Sequence, residues 1–174
     1  MYWNRDLFTN AGLASYPKYW SDFGNIIDKI TVKDVNSNIR KSALALGDFT
    51  NVTNAREILS SLLLQAGNPI TKYTENGVVS MLADGQTSGT KKTSDAVSFF
   101  IKFTNPQDKQ YTWNRSLPSS KNLFLSGNLA TYFGFASELF DIRNKNPNLD
   151  FDIAPLPQIK DTNNRVTYGR MYGL

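Results

Sequence analysis

The sequence predicts an α/β fold, a mixed sheet with helices packed on both of its faces, and three observations carry that expectation. Apolar residues recur at three- and four-residue steps in several segments, short β-favouring runs lie between those segments, and glycine, asparagine and proline mark the joins. Strands interleaved with helices specify a layered α/β arrangement, because each helix must bury its apolar stripe against the sheet. With 174 residues, 40% of them hydrophobic and 13% aromatic, the chain has enough apolar surface for one core and is read as a single unit.

The elements follow in order. Leu7 and Phe8 lie in a short helix over Arg5 to Gly12, closed by a left-handed glycine. Pro17 resets the chain, and Trp20, Phe23, Ile26, Ile27 and Ile30 then share one face of a helix from about Trp20 to Ile30. Ser42 to Leu46 reads as a buried strand that enters a loop from about Asp48 to Thr53. Asn54 with Glu57 three residues on resembles a capping box and starts a helix that ends near Gly67-Asn68-Pro69. Asn76-Gly77 between Ile70–Tyr73 and Val78–Leu82 predicts a hairpin.

Asp84 to Thr93 is a polar surface loop, followed by an amphipathic helix carrying Ala96, Val97, Phe100, Ile101 and Phe103. Ser119 or Ser120 caps a short helix with Leu123 and Phe124 that Gly127 ends, and Leu129 to Phe133 reads as a strand. Ala136 to Lys145 is a helix, Phe151 to Ala154 a strand, and Val166 to Leu174 begins as another strand.

Composition closes several routes of chemistry. The chain has no His and no Cys, so His- or Cys-dependent nucleophiles, dithiol redox chemistry and most transition-metal sites are absent, and no cofactor or metal is expected. Lys and Arg exceed Asp and Glu by 19 to 15, giving a net charge of +4, but the basic residues never form a run of three, so no nucleic acid is expected as a partner. The most apolar stretches are far shorter than the ~20 residues that span a bilayer, and the first residues lack the apolar core of a signal peptide.

Several phrases, in their order, resemble the sugar-type extracellular solute-binding proteins, the family that includes maltose-binding protein. They are Tyr2-Trp3-Asn4-Arg5-Asp6-Leu7-Phe8, Pro17-Lys18-Tyr19-Trp20, Ala45-Leu46-Gly47 with Asn51-Val52, Phe124-Leu125-Ser126-Gly127-Asn128-Leu129-Ala130 with Phe133-Gly134, and Ala154-Pro155-Leu156-Pro157. Tyr19 departs from the family's Thr or Ser, which would cap the helix, and Thr131 from its frequent Met.

The resemblance implies a three-layer lobe of the type II periplasmic-binding-protein-like fold, with one lobe present, the other absent, and Leu174 near the return crossing. It implies a non-enzymatic, substrate-binding component of an ABC transporter that captures a sugar or oligosaccharide in a cleft between lobes. Its partners would be a small-molecule solute and the transporter's membrane subunits. It would work at the extracellular face of the membrane or in the periplasm, anchored by lipid through a segment outside this chain. The alternatives are a binder of a polyamine or metal, for which Asp48, Glu57 and Asp84 are the candidate acidic groups, a binder of a peptide, or an adhesion or scaffold module. A glycoside hydrolase would need two carboxylates at a fixed separation, and no recognisable phrase supplies them.

Five residues are candidate ligand contacts. Asn51 and Asn54 carry amides that suit sugar hydroxyls, with helix capping the alternative for Asn54. Trp113 is either an aromatic platform for a sugar ring or a core residue. Phe135 stands where the resembling family often places a stacking aromatic, with core packing the alternative. Tyr168 lies on the last expected strand and shares a face with Arg170, so one of the two could reach the cleft.

Overall fold

The computed structural model of the protein describes residues 1–82, 93–160 and 165–169. Among them are strands β1 (Tyr2–Asn4), β2 (Val32–Lys33), β3 (Ile39–Leu44), β4 (Thr71–Thr74), β5 (Gly77–Ser80), β6 (Leu129–Tyr132) and β7 (Phe151–Ile153). The helices are α1 (Arg5–Asn10), α2 (Phe23–Ile30), α3 (Ala55–Gln65), α4 (Thr93–Ile101), α5 (Ser120–Leu125) and α6 (Leu139–Lys145). A mixed sheet of five strands, in the order β2-β3-β6-β1-β7, organises the molecule. β3 and β6 pair in parallel, while β1 runs antiparallel to both β6 and β7. Strands β3, β6 and β7 therefore point the same way, and their carboxyl ends meet along one edge. All four residues of β6 are buried, so both faces of the sheet are covered at its centre, as the α/β expectation requires.

The helices follow their apolar stripes. Trp20, Phe23, Ile26, Ile27 and Ile30 are all buried, as the expected single face demands, although the first turn, Trp20–Asp22, is a 3₁₀ turn. Tyr19 makes no side-chain cap bond, but the reciprocal half of a capping box is present: the Asp22 carboxylate accepts from the backbone N–H groups of Lys18 and Tyr19 at 3.0 and 2.9 Å. On α4, Ala96 and Phe100 face the core with Phe103 beyond them, whereas Val97 and Ile101 are exposed. Ser119 is the cap of α5, and Gly127 takes φ of +78° just after it. Thr131 is buried and donates its hydroxyl to Ala43 O at 2.7 Å, so the polar group costs little in the core.

Several expectations need correction or restriction. Of the strand expected from Val166, the described residues 165–169 are irregular. The rest of that stretch, including Arg170 and Leu174, and the loop's residues 83–92 with Asp84, lie outside the described residues. Asn54 is the residue before α3 but adopts φ of +61° and makes no side-chain cap bond, so the expected capping box is not built. The hairpin turns at Glu75-Asn76, and the positive φ falls on Gly77, +107°, the first residue of β5. Tyr2–Asn4, which the sequence offers only as the start of a family-like phrase, is an interior strand.

Candidate functional site

The carboxyl edge shared by β3, β6 and β7 is where loops and helix starts converge, the usual place for a ligand in an open α/β sheet. The segment after β3 leads through Asp48–Thr53 to the start of α3, the one after β6 runs Phe133-Gly134-Phe135-Ala136, and the one after β7 runs Ala154-Pro155-Leu156. The start of α3 and the segments after β6 and β7, together with Tyr2 and Tyr168, line a recess of about 260 Å³. Asn54, Phe135 and Tyr168, three of the five expected contacts, line it, and so do Glu57 and Ser61 from the first turns of α3.

The rings of Phe135 and Tyr168 meet edge to face, with centroids 6.1 Å apart and planes at 62°. Both side chains are partly exposed. Tyr168 reaches this position from irregular backbone rather than from the expected strand. Asn54 donates its side-chain amide to Phe133 O at 3.1 Å, which ties the start of α3 to the loop after β6. Its left-handed backbone turns the side chain across to that loop instead of back over the helix. Glu57, 8% exposed, is held by Arg56 at 3.1 Å.

The loop bearing Phe135 is gripped on both sides of its α-carbon. Glu138 Oε1 accepts from Phe135 N at 2.8 Å, and Tyr2 Oη donates to Phe135 O at 2.6 Å. Glu138 Oε2 accepts in turn from Tyr132 Oη at 2.9 Å and from Lys121 Nζ at 2.7 Å. Burial would raise the Glu138 carboxyl, but the bonds from Lys121, the Phe135 amide and Tyr132 outweigh it and hold its pKa below the ordinary 4.5. Burial, reinforced by the Glu138 charge, pushes the Tyr2 phenol up to about 12, so its proton stays in place to bond Phe135 O.

The other two expected contacts lie elsewhere. Trp113 is 0% exposed, so neither face of its ring is open to a ligand, and of its two readings the structure has the core position. Asn51 serves that tryptophan: its Oδ1 accepts from Trp113 Nε1 at 2.8 Å while its amide donates to Asn114 O and Leu117 O at 2.9 and 3.0 Å. Asp48 is likewise engaged, with Arg115 Nε at 3.1 Å. A second cavity, of about 530 Å³ beside α3 and α4, contains none of the five candidates. Among the described residues there is no group of three or more acidic or other ligating side chains arranged for a metal, and no helix is long and apolar enough to cross a membrane.

Sequence reasoning did not single out Tyr2, Ser61 or Glu138. A signal for Glu138 was present, since Phe135 followed three residues later by Glu is half of a capping box.

A mixed α/β lobe with a recess at its strand ends is the architecture of one lobe of a solute-binding protein. The chain belongs to the family of bacterial extracellular solute-binding proteins, whose sequence model matches residues 1–174. No curated protein matches the sequence. Similar folds occur in UgpB from Mycobacterium tuberculosis in complex with glycerophosphocholine (22% identity, TM-score 0.63), in an ABC transporter solute-binding protein from Thermotoga lettingae bound with α-D-tagatose (18%, 0.64) and in Lmo0181 from Listeria monocytogenes in complex with cycloalternan (16%, 0.61). Each alignment covers 92% of this chain but only 35%, 39% and 37% of those proteins respectively, so the chain spans little more than a third of their length.

Proposed function

We propose that this lobe forms one wall of an interlobe cleft that captures a sugar or oligosaccharide for an ABC importer, without chemical conversion. Closure of a second lobe would complete the site, the ligand stabilising the closed state through contacts made only there. The observation that carries the reading is the cavity at the strand ends, where the Phe135–Tyr168 edge-to-face pair stands beside the Asn54 amide and Ser61. Aromatic carbon suits the apolar face of a pyranose, and nearby amide and hydroxyl groups suit its rim. That several similar folds hold tagatose, cycloalternan or, in the mannobiose-bound CpMnBP1, a mannose disaccharide supports the same class of ligand. The membrane subunits of the transporter would be the protein partners, on the extracellular face or in the periplasm, with a lipid anchor carried by a segment outside this chain.

The test is calorimetric titration of the complete two-lobed protein with tagatose, mannobiose, cycloalternan, spermidine and glycerophosphocholine. Saturable binding of a saccharide is expected, weakened about tenfold by Phe135→Ala, the factor that about 1.4 kcal/mol gives. Binding of spermidine or glycerophosphocholine with no saccharide bound would overturn the carbohydrate reading. Saccharide binding undiminished in Phe135→Ala would remove the stacking role.

A further inference from the structure

We infer that Glu138 is a positioning residue for the ligand-facing ring of Phe135, an inference that rests on the carbohydrate reading for its function but not for its geometry. A carboxylate three residues into a turn needs only one bond, to the backbone N–H before it, to act as a cap. Glu138 does more. Its Oε1 accepts from Phe135 N at 2.8 Å, while its Oε2 accepts a hydrogen bond from Tyr132 on β6 at 2.9 Å and faces Lys121 on α5 at 2.7 Å. From the opposite side Tyr2, on β1, holds Phe135 O at 2.6 Å. Three elements thus fix the N–H and the C=O of one residue, and with them the direction of its Cα–Cβ bond.

Gly134 completes the clamp. A Cβ there would lie 2.5 Å from Tyr132 Cε1 and 2.8 Å from Glu138 Oε1, so the loop approaches the tyrosine and the carboxylate as closely as a chain without a side chain can. Lys121 also reaches Asp141 at 2.9 Å, and Asp141 reaches Lys145 at 3.1 Å, so the carboxylate sits at the inner end of a chain of alternating charges that runs to the surface. The result is a stacking ring held in place before the ligand arrives, which lowers the ordering cost of binding.

Two measurements on the complete protein test this. In the first, without ligand, amide hydrogen exchange is followed in the wild type, Glu138→Ala and Glu138→Gln. Exchange at Phe135 should quicken about tenfold or more in Glu138→Ala, as expected for a lost bond to a charged acceptor, and by less in Glu138→Gln, which keeps a neutral acceptor. The amides of β3 and β6 should keep their protection. Unchanged exchange at Phe135 in both variants overturns the inference, and Glu138→Gln serves alone if Glu138→Ala does not fold.

In the second, tagatose, mannobiose and cycloalternan are titrated into Glu138→Gln, Phe135→Ala and the double variant. Glu138→Gln should weaken saccharide binding in the presence of Phe135 and have no further effect once Phe135 is alanine, the mark of one residue acting through another. An equal effect in both backgrounds overturns the inference. Failure of every saccharide to bind the wild type overturns the carbohydrate reading, while the exchange result still decides whether Glu138 holds the loop.

Discussion

Asn51 spends every atom of its side-chain amide on the loop that carries Trp113, and the same residue's backbone carbonyl accepts from Ser120 N at 2.8 Å. One side chain therefore joins the segment after β3 to the segment before α5. Asn51→Ala should destabilise the protein by about 1–3 kcal/mol, because it leaves the buried Trp113 N–H and two carbonyls without a partner. Chemical denaturation checks this, and a loss of well under 1 kcal/mol would mean that water takes over the bonds. Asparagine in a loop followed by a helix reads equally well as a ligand contact or as a structural pin, since both uses need the same donor and acceptor. Trp113 has the same ambiguity. What separates the uses is burial, which depends on residues more than sixty positions away in the sequence.

At the scale of elements, the two-stranded β4–β5 hairpin stands apart from the main sheet. Every residue from Thr71 to Thr74 and from Gly77 to Ser80 is exposed, and the hairpin's base is closed by Met81 N donating to Ile70 O at 2.9 Å. Gly77 takes a φ of +107°, with open space where a Cβ would stand. Gly77→Ala should therefore cost the hairpin about 1–3 kcal/mol of backbone strain. Because so little of the core touches it, the amides of β4 and β5 should lose exchange protection while the thermal midpoint of the protein stays within a degree or two. A large drop in that midpoint would mean that the hairpin is coupled to the core.

The hairpin was legible from its Asn-Gly step, and so were α2, α5 and β6, whose apolar spacing or capping residues are local signals. Strand β1 was not, because three residues give no periodicity, and its interior place comes from pairing with Leu129–Tyr132 and Phe151–Ile153. The opposite error occurred at Val166, where β-favouring residues lie on irregular backbone among the described residues.

Across the whole molecule, acid is the condition that tests the brace behind Phe135. The Glu138 carboxyl has its pKa depressed in the folded state, so the stability it supplies is present in full above its ordinary value of 4.5 and is lost as pH falls through the depressed value. Lys121, Tyr132, Asp141 and the phenol of Tyr2 are the ionisable groups around it; the lysine and the tyrosines keep their protons through that range. The difference in melting temperature between the wild type and Glu138→Gln should thus be constant above about pH 5 and shrink below pH 4.5. A difference that persists undiminished to pH 3 would assign it to packing rather than to charge.

The sequence by itself determined the class of fold and the family, because these rest on local periodicity, on capping and on phrases that keep their order along the chain; it also singled out Asn54, Phe135 and Tyr168, which line the recess, although Asn54 does not cap its helix and Tyr168 stands on irregular backbone. Only the tertiary structure decided that Asn51 and Trp113 bond each other with the Trp113 ring buried, that Asn54 reaches across to Phe133 instead of capping its helix, and that Tyr132 and Lys121 converge on Glu138 while Tyr2 holds Phe135 O. The physical reason is common to all of these. A hydrogen-bonding or aromatic side chain has the same local signature whether it meets ligand or protein, and the choice is made by long-range pairing of strands, which sets what lies opposite it.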